Sequence, residues 1–197
     1  MALDSKKIVI AMADQATTGA ALAGDVITTI PATFADAVTA IANFTPTGYL
    51  GEDGIALSTS LSTTDFKEMN RGTVRKGLDD FTGTVTYTEL QLMDEDVLER
   101  KFGEDNVSVT AATLSAGKQI HVKIGANLPP EQAFAWKLKD GDARVIILIP
   151  KGQVTNGIDV TFAANSMAGV PTEVSAYDDG HGTSIHIYFD DGQKLSA

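Results

Sequence analysis

Two stretches of period-two alternation constrain this chain more than anything else in it. In residues 55–62, Ile55, Leu57, Thr59 and Leu61 fall on one side and Ala56, Ser58, Ser60 and Ser62 on the other. Further on, Phe81, Gly83, Val85 and Tyr87 alternate with Thr82, Thr84, Thr86 and Thr88. Successive side chains of a strand point to opposite faces, so each stretch reads as a strand with two unlike faces. Between them runs a long polar connection, roughly residues 63–76. It carries Asp65, Lys67, Glu68, Arg71, Arg75 and Lys76, with Phe66, Met69 and Val74 among them. Connections of that length inside a domain are uncommon unless they bind something or are disordered. Both charge signs together with a few apolar anchors suit a contact with another protein.

Most of the remaining signals are also β. Phe134, Trp136 and Leu138 share a face, Asp140-Gly141 supplies a tight turn, and the run VIILI at 145–149 must be buried on both sides or lie at a sheet centre. Asn156-Gly157 is a second turn signal, and Ile158, Val160 and Phe162 alternate after it. Residues 6–12, KQIHVKIG at 118–125, VPTEVSAY and SIHIYF complete the expected strands. With 18 glycines and few aromatic residues, the chain reads as mainly β, in a single domain spanning residues 1–197.

One helix is expected over about residues 93–102. Asp94 is placed to cap it, Glu95 and Asp96 lie in its first turn, Arg100 and Lys101 in its last, and Gly103 follows. Each complements the helix dipole or an unpaired end group. Met93 with Val97 and Leu98 with Phe102 form an apolar stripe that should pack on a sheet. Residues 13–47 are rich in Ala, Thr and Gly; Phe34, Val38 and Ile41 have the spacing of a short helix, and otherwise the segment reads as an arm or irregular insertion.

The closing stretch YDDGHGTSIHIYFDDG sets His181, Ser184 and His186 between two Asp-Asp-Gly triplets. Carboxylates and imidazoles together can hold a divalent ion, but neither calcium-loop nor zinc spacing is present. The triplets fall where strand ends need turns, and His186 alternates with Ile185 and Ile187. The paired carboxylates Asp79-Asp80, Asp178-Asp179 and Asp190-Asp191 likewise sit beside turns rather than as an acid and base. No nucleophile elbow, phosphate-cradling loop or zinc-protease motif occurs, so neither enzyme activity nor a cofactor is expected. With no cysteine, thiol chemistry and disulfides are excluded. The apolar run at residues 8–13 is shorter than a secretory core, and VIILI is far too short to span a bilayer, so neither targeting nor a membrane anchor is expected. Fifteen basic against 26 acidic residues, a net charge of −11, argue against phosphate binding.

Taken in order, GYLGEDGIALS, the polar connection with Arg71-Gly72-Thr73-Val74-Arg75, DVLERKFGEDNV, WKLKDGDARVIILIPKGQVT and SAYDDGHGTSIHIYFDDG resemble the major tail tube proteins of long, non-contractile-tailed bacteriophages. The resemblance covers roughly residues 48–192. It implies a β-sandwich flanked by a helix, hexameric rings whose inner sheets join into a barrel, and a lumen that conducts DNA without binding it specifically. It implies that Asp65, Phe66, Lys67, Glu68, Arg71, Arg75 and Lys76 lie in a ring-stacking loop. It also implies a tape-measure protein, a tail assembly chaperone, a tail tip or baseplate and a tail terminator as partners, and a place in the virion after synthesis in the host cytoplasm. The competing expectation is a carbohydrate- or adhesin-type β-sandwich module. That would need an aromatic residue exposed for stacking on sugars, whereas Trp136, the only tryptophan, alternates with Phe134 and Leu138 as a core residue would.

Overall fold

The run VIILI lies where its composition demands, in the middle of a sheet covered on both faces. The computed structural model describes residues 9, 12–14, 19–126 and 128–193. In chain order its elements are β1 (Met12–Ala13), β2 (Ala21–Gly24), α1 (Phe34–Ala40), β3 (Thr45–Pro46), β4 (Leu50–Glu68), β5 (Gly72–Glu89), α2 (Glu95–Phe102), β6 (Val107–Thr110), β7 (Gln119–Val122), β8 (Gln132–Asp140), β9 (Ala143–Val154), β10 (Val170–Ala176) and β11 (His186–Asp190). Of the first expected strand at 6–12, most residues lie outside those described, and Met12 pairs with Lys139 in β1.

Nine strands make one antiparallel sheet with the path β3-β2-β8-β9-β10-β5-β4, to which β1 adds on β8 and β11 on β9. The expected mainly-β fold is therefore present. β9 has β8 along one side, while its other side is shared: β11 pairs with residues 144–148 and β10 with residues 152–154. Ile147 and Ile149 point into a cluster with Phe134, Trp136, Val85 and Val174. Ile146 and Leu148, on the opposite face, pack with Leu22, Ala37, Ile41 and Ala135.

The first cluster shows that the sheet folds over on itself. On a flat sheet β8 and β5 would stand three strand spacings apart, about 14 Å. The rings of Trp136 and Tyr87 are instead 5.7 Å apart, edge to face, and Phe134 stacks on the indole at 6.2 Å. The two halves of the sheet thus enclose one core in the manner of a sandwich.

Within residues 13–47, expected as an arm or irregular insertion with a short helix, β2, α1 and β3 are built into this structure. Ala21 and Ala23 pair opposite Trp136 and Phe134 in β8, where small side chains leave room for two aromatic rings. The helix foreseen from Phe34, Val38 and Ile41 is α1, closed by a capping box in which Asp36 N–H donates to Thr33 Oγ1 at 3.2 Å and Thr33 N–H to Asp36 Oδ2 at 3.1 Å. Its Ala37 covers the second face of β9.

α2 forms as expected, with Asp96 N–H donating to Asp94 Oδ1 at 3.0 Å and Gly103 in the left-handed region at φ 84°. Its last turn holds a surprise, because Arg100 and Lys101 are buried against the sheet. They face Glu89, itself buried at the end of β5 and accepting from Tyr87 Oη and Thr172 Oγ1, each at 3.2 Å. Lys101 Nζ donates to the Pro171 carbonyl at 2.6 Å and to Asn156 Oδ1 at 3.0 Å. Asn156 in turn accepts from Glu173 N–H and donates to the Pro171 carbonyl. It therefore ties the chain to β10, and the expected strand at 158–162 does not form: residues 155–169 contain no strand. A period-two pattern makes a strand only where the segment lies along an edge and pairs with it, and residues 158–162 pair with none.

Two outcomes test this core. Trp136→Ala should cost about 3–5 kcal/mol in urea unfolding, because it empties the centre of the folded-over sheet. The second concerns Lys101, whose ammonium is pushed down to about 8 by burial, with Glu89 opposing the shift. A lysine depressed in the folded state contributes stability that is present above the unfolded pKa and lost as pH falls through the folded one. The urea midpoint should accordingly rise between about pH 8 and 9.5, and Lys101→Met should remove that slope. Equal slopes in the two proteins would refute the assignment.

Candidate functional site

The long polar connection is not a loop. β4 continues to Glu68 and β5 begins at Gly72, so residues 63–76 form the end of a β-hairpin. Thr63 pairs with Leu78, Asp65 with Lys76, Phe66 with Arg75 and Glu68 with Gly72, with register shifts between Ser62 and Thr63 and between Phe66 and Lys67. The turn uses left-handed backbone at Asn70 (φ 79°) and Gly72 (φ 82°), where Asn and Gly are the residues that tolerate it. Side chains reinforce the ladder: Thr64 Oγ1 donates to Asp79 Oδ2 at 2.6 Å, Thr73 Oγ1 to Asp65 Oδ2 at 3.2 Å, and Lys76 Nζ lies 2.9 Å from Asp65 Oδ1. Gly77 lets the Phe66 ring cross the ladder, since a Cβ there would stand 2.9 Å from that ring.

Only the foot of this hairpin belongs to the core. Val85, Tyr87 and Glu89 are buried, whereas every residue from Ala56 to Gly72 is exposed. The projecting part bears a row of apolar side chains in water, Leu61, Phe66, Met69, Val74 and Leu78, each more than half exposed. Asp65, Phe66, Lys67, Glu68, Arg71, Arg75 and Lys76 are all exposed on it. The sequence pattern concealed the ladder because both of its faces lie outside the core, so neither needed to be uniformly apolar. At the hairpin's foot, Leu57, Leu61, Phe81, Ile185 and Ile187 line an open cavity of about 630 Å³.

The Asp-Asp-Gly triplets act as turn residues. Asp178 Oδ1 accepts from Gly180 N–H at 2.6 Å, Asp190 Oδ1 from Gly192 N–H at 3.0 Å, and Asp191 Oδ1 from Gln193 N–H at 2.9 Å. Asp179 accepts from His181 N–H at 2.7 Å and Thr183 N–H at 3.2 Å, and its other oxygen lies 3.0 Å from His186 Nε2. Desolvation works against its charge, but these contacts outweigh it and hold the carboxyl below its ordinary range. Among the described residues, no three His, Asp or Glu side chains gather where a metal ion could be held. Trp136 is fully buried and offers no face to a sugar.

The site is thus an exposed ribbon of mixed charge with apolar side chains in water, on a folded-over sheet. A family model for phage tail tube proteins matches residues 1–194 of the 197. No curated protein matches the sequence. The chain belongs to the phage tail tube protein family, and is a structural subunit that assembles with copies of itself into the tail tube of a virion.

Proposed function

We propose that the subunits close into hexameric rings whose sheets join into a barrel, and that the rings stack through the β4–β5 hairpin into a hollow tube of the long, non-contractile type. The observation that carries this reading is the hairpin, a ribbon of exposed strand that bears several apolar side chains which nothing among the described residues covers. β4 is also the last strand on the sheet's path, pairing only with β5, and a long unpaired edge is a liability unless a neighbour completes it. Closing such edges into a ring removes them.

DNA passing through the lumen would meet a subunit with 26 acidic and 15 basic residues, a composition that avoids phosphate contacts and lets the polymer slide. A tape-measure protein within the tube, an assembly chaperone, a tail tip or baseplate and a terminator at the head end are the partners this reading requires.

Within the hairpin, Arg71 and Arg75 are assigned to ring stacking. Exposed charges contribute little to folding. Arg71→Glu combined with Arg75→Glu should therefore leave the urea midpoint within about 0.5 kcal/mol of the parent while reducing tube length and number in negative-stain electron microscopy. Tubes of unchanged length would overturn the assignment of these arginines. A chain that stays monomeric at every concentration, even with tail tips as seeds, would overturn the tube architecture itself.

A further inference from the structure

The end of the molecule opposite the hairpin tip carries an apolar groove that the fold leaves open. Leu92, Met93 and Leu98 from the α2 region, Ile120 and Ile124 from and after β7, and Phe162 from the strandless segment line about 500 Å³ of space. Met93, Ile124 and Phe162 stand almost wholly in water. The strandless segment places its alternating Ile158, Val160 and Phe162 along this groove rather than in a sheet.

Its position relative to the hairpin follows from the register. β5 runs 18 residues from the hairpin turn to Glu89, about 60 Å of extended chain. Leu92 and Met93 come just after that end, and Val170, which pairs with Glu89, also lines the groove. Tip and groove therefore terminate the same strand at opposite ends, so a contact between them on two copies is head to tail and repeats without closing.

The charges of the two ends are opposite. Residues 63–76 contain four basic and two acidic side chains, Lys67, Arg71, Arg75 and Lys76 against Asp65 and Glu68. At the α2 end of the groove, Asp94, Glu95 and Asp96 stand around Lys118, which lines the groove and is paired with Glu95. Arg100 and Lys101, in the last turn of α2, are buried.

We propose that this groove receives the hairpin tip of a second copy, Met69 and its apolar neighbours entering between α2, β7 and Phe162 while the tip's cations meet Asp94, Glu95 and Asp96 at the start of α2. The inference rests on the tube reading above and adds the receiving surface.

The chain has no cysteine, so introduced pairs report without background. Met69→Cys should be combined with Met93→Cys in one chain and with Phe162→Cys in another, all at exposed positions, and tubes of each oxidised. The paired positions lie too far apart within one chain for the short Cα separation a disulfide needs, so any bond between them joins two molecules. The expected result is a ladder of dimers, trimers and longer species on a non-reducing gel for at least one pair. Each single variant should stop at dimers, and Met69→Cys with Val38→Cys should give no ladder. Tubes that form normally but yield no ladder with either groove position overturn the groove while leaving the tube reading intact. Absence of tubes, even from the unmodified chain seeded with tail tips, overturns both.

Discussion

Everything else in the molecule is arranged around one constraint, that β9 has no face and no edge to leave in water. Its residues 145–149 are apolar without alternation, so both sides must be covered. The fold meets this demand with different material on each side. One face is closed when the sheet turns back so that Tyr87 reaches Trp136, and the other when Leu22 and α1 are brought in from the N-terminal third. Because β11 and β10 divide the remaining edge between them, the sheet can fold at that junction without breaking the ladder. The long β4–β5 hairpin then grows from the outer end of a sheet whose centre is already fixed.

Much of this was legible in the sequence, and the failures share a cause. The double burial of 145–149, the caps of α2, the turn role of the Asp-Asp-Gly triplets and the core place of Trp136 are dictated by local chemistry, which a single stretch displays in full. The hairpin end was concealed because a period-two pattern records burial of one face, and Lys67, Arg71 and Val74 lie where neither face is buried. The reverse error came at 158–162, where Ile158, Val160 and Phe162 alternate but the segment pairs with no strand. Arg100 and Lys101 read only as cations completing the last turn of a helix; their burial did not show because Glu89, whose charge acts on both, lies on a strand preceding it. Only pairing that spans the chain reveals these three. The candidate site was legible as a location and a composition; its form as a paired ladder was not.

The functional identity depends less on any single residue than on the contrast between a closed core and open ends. A subunit whose apolar surface is concentrated at a projecting ribbon and at a groove beyond the ribbon's root has nothing to bury by folding further. It has much to bury against another copy. Surface of this kind is what distinguishes a component of an assembly from a self-sufficient domain.

The projecting half of the hairpin also bears on how polymers of this subunit begin. A two-stranded ribbon without a covering layer is only marginally stable in water, and its contacts are all between near neighbours in the chain. Its distal turns can therefore melt and re-form without disturbing the Trp136 core. Two free subunits that meet must both settle their ribbons for the benefit of one contact, whereas a subunit joining an existing end finds a surface already in place. With stacking through the hairpin as proposed, growth from a template is favoured over spontaneous initiation, through the part of the fold that the core leaves uncovered.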